Sequence, residues 1–287
     1  MSDPVKLGKT LAQLARPQNA LYPALLAAGS AYLTKSSPLQ IAACFFLFIC
    51  LYAVAATYNN IHDVKTDRLN LRKDNPLVFT PVSVKTLQIF MGLNSLVALG
   101  LGLTLRRPYS LGIVAVYIVL LAAYSHPKLK LQARGWVSPI ILSICYGGLP
   151  ILLGLVQNIP THNQWLWQLP LLQAMLTLPV TLAKDYKDIV GDTVSGKRTP
   201  VVRYGERTVQ LTAVAASILS ATYFVYLARL WPLNVSIIVI LAGLYITSVA
   251  WLHLKLGQLP ILLRQAYTLL LLAMPMVIVW KFAAIFC

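Results

Sequence analysis

Hydrophobic positions in this chain are grouped into long runs separated by short polar stretches. A helix that crosses a bilayer needs about 20 mainly apolar residues. Runs near that length lie at 18–34, 38–58, 84–105, 108–125, 136–156, 165–184, 207–228, 231–253 and 262–285. The joins at 34–38, 105–108 and 228–231 are tight and predict helical hairpins. Longer polar connections fall at 59–83, 126–135, 185–206 and 254–261. The pattern predicts an all-α, polytopic membrane bundle of about nine transmembrane helices, with residues 1–287 forming one domain. "YGGLP" at 146–150 predicts a loosened or kinked fifth span, and "GERT" at 205–208 predicts a helix start after a glycine turn.

Composition supports a membrane solvent. The chain is 58% hydrophobic and 11% charged, where a soluble domain carries about 25% charged residues. Its N-terminal segment lacks the layout of a signal peptide. The net charge of +16 would raise the question of nucleic acid in a soluble protein, but here it follows the membrane. Of the 24 Lys and Arg residues, nineteen fall at the N-terminus, in the four longer connections and at the helix ends that border them. By the positive-inside rule that side is cytoplasmic, which places the N-terminus in the cytoplasm and the C-terminus opposite. Membrane lipids are expected contacts, and no nucleic acid or protein partner is implied. Cys44, Cys50, Cys145 and Cys287 lie in or at the end of apolar runs without metal or disulfide spacing, and read as small packing residues.

The acidic residues carry the chemistry. Only eight exist, and five of them form two groups, Asp63/Asp67 and Asp185/Asp188/Asp192. Each group ends an apolar run on the same predicted side. "DVKTD" and "DIVGD" share a DxxxD pattern, which hints at an internal duplication. If the second span continues as helix, Asn59, Asp63 and Asp67 share one face. Asp185, Asp188 and Asp192 do the same on a second helix. Carboxylates so placed repel one another and sit near a helix C-terminus, where the macrodipole disfavours anions. A cation must offset this. Asp oxygens with an Asn carbonyl are hard ligands suited to Mg²⁺ shared with a substrate phosphate. The bland alternative is that these are solvated aspartates paired with neighbouring Lys and Arg.

These residues resemble the motifs of the UbiA superfamily of intramembrane prenyltransferases. "NNIHDVKTD" is similar to the family's NDxxDxxxD, and "KDYKDIVGDTVSGKRTPVVRYG" to its second aspartate motif. Tyr124 and Lys128 match a Tyr-x-x-x-Lys element. The resemblance implies a nine-helix fold whose active-site cavity opens to the cytoplasm. It also implies transfer of an isoprenyl group from its diphosphate to a hydrophobic acceptor, most commonly aromatic or a quinone precursor. Asn59, Asp63, Asp67, Asp185, Asp188 and Asp192 would form the magnesium shell, with Asp63, Asp67, Asp188 and Asp192 central to catalysis. Arg72, Tyr124 and Lys128 would hold the diphosphate. Two positions depart from the family. Asn60 stands where many members have a second acid, and Asn75 stands where many have an arginine.

Other residues invite roles. His62 points off the ligand face and reads as structural, while His126 sits beside the presumed diphosphate contact. Arg16 reads as a headgroup anchor in preference to a wall of the cavity. A terpene cyclase of the same family would use the same metal site without an acceptor, and a lipid or carotenoid acceptor is a further alternative. A transporter would place its acids near mid-membrane, and the DGxxAR signature of CDP-alcohol phosphotransferases is missing.

Overall fold

The computed structural model describes residues 4–72, 74–80, 82–105, 107–159, 164–228 and 235–255. The described residues are helical, with one isolated bridge between Arg134 and Arg198 in place of any sheet. Helix α1 spans Pro4–Ala15, α2 Pro17–Leu33, α3 Pro38–Leu69, α4 Val84–Thr104 and α5 Pro108–Ser125. Next come α6 (Val137–Ser143) and α7 (Leu149–Leu155), joined by a single π-turn at Ile144–Gly148. Then follow α8 (Leu169–Leu182), the short α9 (Ile189–Val194) and α10 (Pro200–Tyr204), and the long α11 (Glu206–Ala228) and α12 (Val235–Lys255). Eight of the expected runs thus coincide with helical segments. The run at 262–285 lies outside the described residues.

Among the described residues, six helical segments are long and apolar enough to cross a membrane: Pro38–Leu69, Val84–Thr104, Pro108–Ser125, Val137–Leu155, Leu166–Lys187 and Glu206–Leu227. Helix α2, at 17 residues, is slightly shorter. Helix starts are written locally. Pro17, Pro38, Pro108 and Pro200 occupy first helical positions, where the missing N–H leaves no orphan. Ser37 and Gln40 form a capping box at the start of α3. The outward faces of α4 and α5 carry Leu93, Leu96, Leu103, Val116 and Val119, all well exposed and suited to lipid. Two apolar cores share α2 and α7. One gathers Leu26, Leu155, Leu172, Phe224 and Leu252. The other gathers Ala27, Phe48, Tyr117, Leu121 and Leu153. The helices α2 and α7 touch because Gly154 has no side chain: a Cβ there would overlap Ser30 Oγ and the carbonyl of Ala27.

One expectation is corrected. The second aspartate motif is not one continuous helix. A 3₁₀ segment, Ala183–Lys187, ends the α8 run, Asp188 leaves helical geometry at φ −110° and ψ 5°, and α9 restarts at Ile189. Tight 3₁₀ turns commonly end α-helices, and this one swings Asp188 and Asp192 off the α8 axis. The first motif behaves as expected, because α3 runs unbroken to Leu69 and carries Asn59–Asp67 on it.

The polar loops gather at two ends. One end brings together Arg16, the chain after α3, and residues 126–136 and 184–205. At the other end Arg107 Nε donates to the Gln157 carbonyl and Asn158 Nδ2 to that of Thr34.

Candidate active site

The two aspartate motifs meet at the first of these ends. Helix α3 places Asp63 and Asp67 one turn apart, both buried. After Asn70 the chain reverses through Leu71, a non-glycine residue at φ +49°, and the Arg72 N–H returns to the Asp67 carbonyl at 2.9 Å. This reversal aims the Arg72 guanidinium back over the helix end. Its Nη1 lies 3.5 Å from Asp67 Oδ1 and 3.3 Å from Asp188 Oδ2, and its Nη2 lies 2.5 Å from Asp74 Oδ2. A second cation bridges the motifs. The chain turns at Gly196 (φ +72°), the Lys197 N–H donates to the Asp192 carbonyl, and Lys197 Nζ lies 2.8 Å from Asp63 and 4.0 Å from Asp192. Lys184 pairs with Asp185, its ammonium 5.9 Å above the Tyr124 ring.

Docking of α9 on α3 depends on Gly191. Its N–H donates to Asn70 Oδ1 at 2.6 Å, and a Cβ at this position would overlap the Asn70 amide. Amides also frame the aspartates. Asn59 Nδ2 donates to Asp63 Oδ2 at 2.9 Å and to Ser125 Oγ at 3.0 Å, and Gln132 Nε2 donates to Asp63 Oδ1 at 3.0 Å. Asn75 Nδ2 donates to Asp67 Oδ2 at 2.7 Å.

Charge is unevenly balanced across the site. Burial pushes the Asp192 carboxyl up to about 7 against the pull of Lys197, and the neighbouring Asp185 and Asp188 add to the rise. Burial acts the same way on Asp74, but the hydrogen bonds and charge of Arg72, helped by Lys187 and Arg16, hold its carboxyl well below the usual range.

Among the described residues no three Asp, Glu, His or Cys side chains form a ready-made metal cage. Chain cations stand between the carboxylates instead. The donor set nevertheless fits a hard divalent cation: five buried carboxylates share one end, and Asp185 Oδ2 and Asp188 Oδ1 are buried oxygens without a hydrogen-bond partner.

The structure therefore brings together Asn59, Asp63, Asp67, Arg72, Asp188 and Asp192, with Asp185 alongside through Lys184. Tyr124 lies near through Lys184, with its hydroxyl on Ser138 Oγ at 3.1 Å. Lys128 is not drawn in: it is exposed, forms no ion pair among the described residues, and its N–H meets His126 Nδ1. His62 is exposed and packs edge-on against Tyr58. Arg16 corrects the anchor reading, since it bonds Asn60 Oδ1 at 2.8 Å and pairs with Asp74 at 3.5 Å inside the polar site. Sequence reasoning missed Asn70, Gln132, Lys184, Gly191 and Lys197. Three of these, Lys184, Gly191 and Lys197, lie within the second motif and carry its spacing as their only signal. Nothing local marks Asn70 or Gln132.

Fold and site together define a polytopic helical membrane protein with a buried aspartate and cation cluster at one end. The family model of the UbiA prenyltransferase family matches residues 20–259. The chain belongs to that family. It is 27% identical to the chloroplastic 2-acyl-4-prenylphloroglucinol 6-prenyltransferase of Humulus lupulus over 61% of this chain, a match that takes in only 44% of that protein. It is 25% identical to the digeranylgeranylglyceryl phosphate synthase of Methanopyrus kandleri, over 67% of this chain and 72% of that protein. Its fold is similar to that of a UbiA homolog from Aeropyrum pernix K1, with a TM-score of 0.71 at 17% identity over 94% of this chain and 98% of that one. A UbiA homolog from Archaeoglobus fulgidus bound to GPP and Mg²⁺ gives 0.70 at 16% identity, over 93% and 98%.

Proposed function

We propose that this protein transfers an isoprenyl group from an isoprenyl diphosphate to a hydrophobic acceptor within the membrane, with Mg²⁺ as cofactor. The observation that carries the reading is the meeting of two aspartate motifs, 125 residues apart between Asp63 and Asp188, across two basic bridges. Asp63, Asp67, Asp185, Asp188 and Asp192, with Asn59, are the residues to hold the metal. Bound Mg²⁺ would supply the positive charge that offsets the diphosphate as its allylic C–O bond breaks.

Arg72, Lys184 and Lys197 then add fixed cations in a site largely closed to water, where they stabilise leaving-group charge strongly. Tyr124 and Lys128 keep their diphosphate roles on the motif alone, since neither bonds an aspartate among the described residues. Tyr52 and Tyr146, with ring centroids 5.5 Å apart, stand below the aspartates. Tyr52 lies about 10 Å along α3 from Asn59 by helical rise. Aromatic faces there suit a transient carbocation.

The cluster lies at the end richest in Lys and Arg, which supports a cytoplasmic mouth and a cytoplasmic N-terminus; one family match running over residues 20–259 supports a single domain. An aromatic acceptor follows the hop relative. The archaeal relative, matched over a larger share of its length, favours a second reading in which the acceptor is a glycerol lipid.

The test is diphosphate release by purified protein given Mg²⁺ and labelled geranyl, farnesyl or geranylgeranyl diphosphate, with phenolic and glycerol-lipid acceptors. Release should require Mg²⁺ and disappear in Asp63→Ala and Asp188→Ala. Release without acceptor, yielding a hydrocarbon, would indicate a cyclase instead.

A further inference from the structure

The two positions that depart from the family pattern, Asn60 and Asn75, meet in the structure. Asn75 is fully buried, and its side chain makes three hydrogen bonds. Its Nδ2 donates to Asp67 Oδ2 at 2.7 Å and to the Asn60 carbonyl at 3.0 Å, while its Oδ1 accepts from the Leu77 N–H at 3.1 Å. The last bond caps the 3₁₀ turn Pro76–Val78, so the asparagine is held from its own loop and cannot rotate freely. Asp67 is thereby divided. One oxygen is fixed by a neutral amide, and the other, Oδ1, is left facing Arg72 at 3.5 Å and the second motif beyond it. Arg16 steadies the same unit from the other side, through Asn60 Oδ1 at 2.8 Å and the Asp74 carbonyl at 3.3 Å.

We infer that Asn75 is a positioning residue: it fixes the Asp67 carboxylate so that Oδ1 alone is presented to the cation shared by the two motifs. This rests on the functional reading above. Asn75 touches no reacting atom in this account and acts through Asp67. An arginine at the same place would add a charge that competes with the cation for Asp67. The amide orients the carboxylate without competing. Partners that orient a metal-binding carboxylate typically change metal affinity about 10–100-fold when removed.

The test is Mn²⁺ binding to the detergent-purified protein, followed by electron paramagnetic resonance, for the unaltered protein, Asn75→Ser, Asp67→Asn and the double variant. Serine still caps a turn but is too short to reach Asp67, so a role confined to the turn predicts unchanged affinity. The expected result is about tenfold weaker Mn²⁺ binding in Asn75→Ser with a melting temperature close to that of the unaltered protein. In the Asp67→Asn background, Asn75→Ser should weaken Mn²⁺ binding no further, because the anionic carboxylate that Asn75 orients is no longer there to bind the cation. Unchanged Mn²⁺ affinity in Asn75→Ser, or effects that multiply in the double variant, would overturn the inference and leave the functional reading standing. Absence of Mn²⁺ binding by the unaltered protein would remove both.

Discussion

Lys197 Nζ lies 2.8 Å from Asp63 Oδ1 across 134 residues of sequence, and this contact joins the aspartate motifs of the two halves of the chain. Both groups are largely buried, and breaking a buried pair by removing one partner costs about 3–5 kcal/mol, because the other charge is left alone. Lys197→Met should therefore lower the melting temperature in EDTA, leaving Asp63 and Asp192 short of a cation. Added Mg²⁺ should recover more stability in this variant than in the unaltered protein, by preferential binding to the folded state. Thermal unfolding in detergent, with and without Mg²⁺, reads both effects.

Asp192 gives a pH signature. Its folded-state value, raised to about 7, lies above the ordinary value of about 3.9. The folded protein thus binds this proton more tightly than the unfolded chain. Without metal, the contribution of Asp192 to stability falls as pH rises from roughly 4 through about 7 and is level above. Asp192→Asn should flatten that slope and melt higher than the unaltered protein at pH 8 in EDTA, while losing its response to Mg²⁺. Melting curves at pH 5 and pH 8 check the sign.

Gly191→Ala should damage catalysis more than folding. The added methyl would overlap the Asn70 amide and push α9 off α3, carrying Asp188 and Asp192 with it. A misplacement of about 1 Å at such a site costs about 10²-fold in rate. Diphosphate release per folded molecule should fall accordingly, with a melting temperature within a few degrees of the unaltered protein.

Gly154→Ala should do the reverse. The methyl would overlap Ser30 and Ala27 at the closest approach of α2 and α7, far from the aspartates. Overpacking of this kind costs about 1–3 kcal/mol, so the melting temperature should drop while turnover per folded molecule is retained.

The helical course of the chain was legible because a lipid solvent forces apolar runs to be helical and long. The unbroken α3, the loosened backbone at Gly147 and Gly148, seen as the π-turn Ile144–Gly148, and the α11 start at Glu206 followed directly. The break at Asp188 did not, since a regular i, i+3, i+7 spacing reads as one helix whether or not the backbone keeps to it. At the site, carboxylates announce themselves because charge is rare in this chain. Neutral partners do not: Asn70 and Gln132 act through contacts between distant segments, and only the folded chain shows which group each one meets. Arg16 looked like an anchor for the same reason, because its partner Asn60 lies 44 residues away.

The most direct test of the account is calorimetric titration of a non-reactive geranyl thiolodiphosphate into the purified protein, with and without Mg²⁺, for the unaltered chain, Asp63→Ala and Asp188→Ala. If the two motifs form one magnesium–diphosphate site, binding should need Mg²⁺ and be lost equally when either motif is altered. Undiminished binding in either variant, or binding indifferent to Mg²⁺, would contradict it.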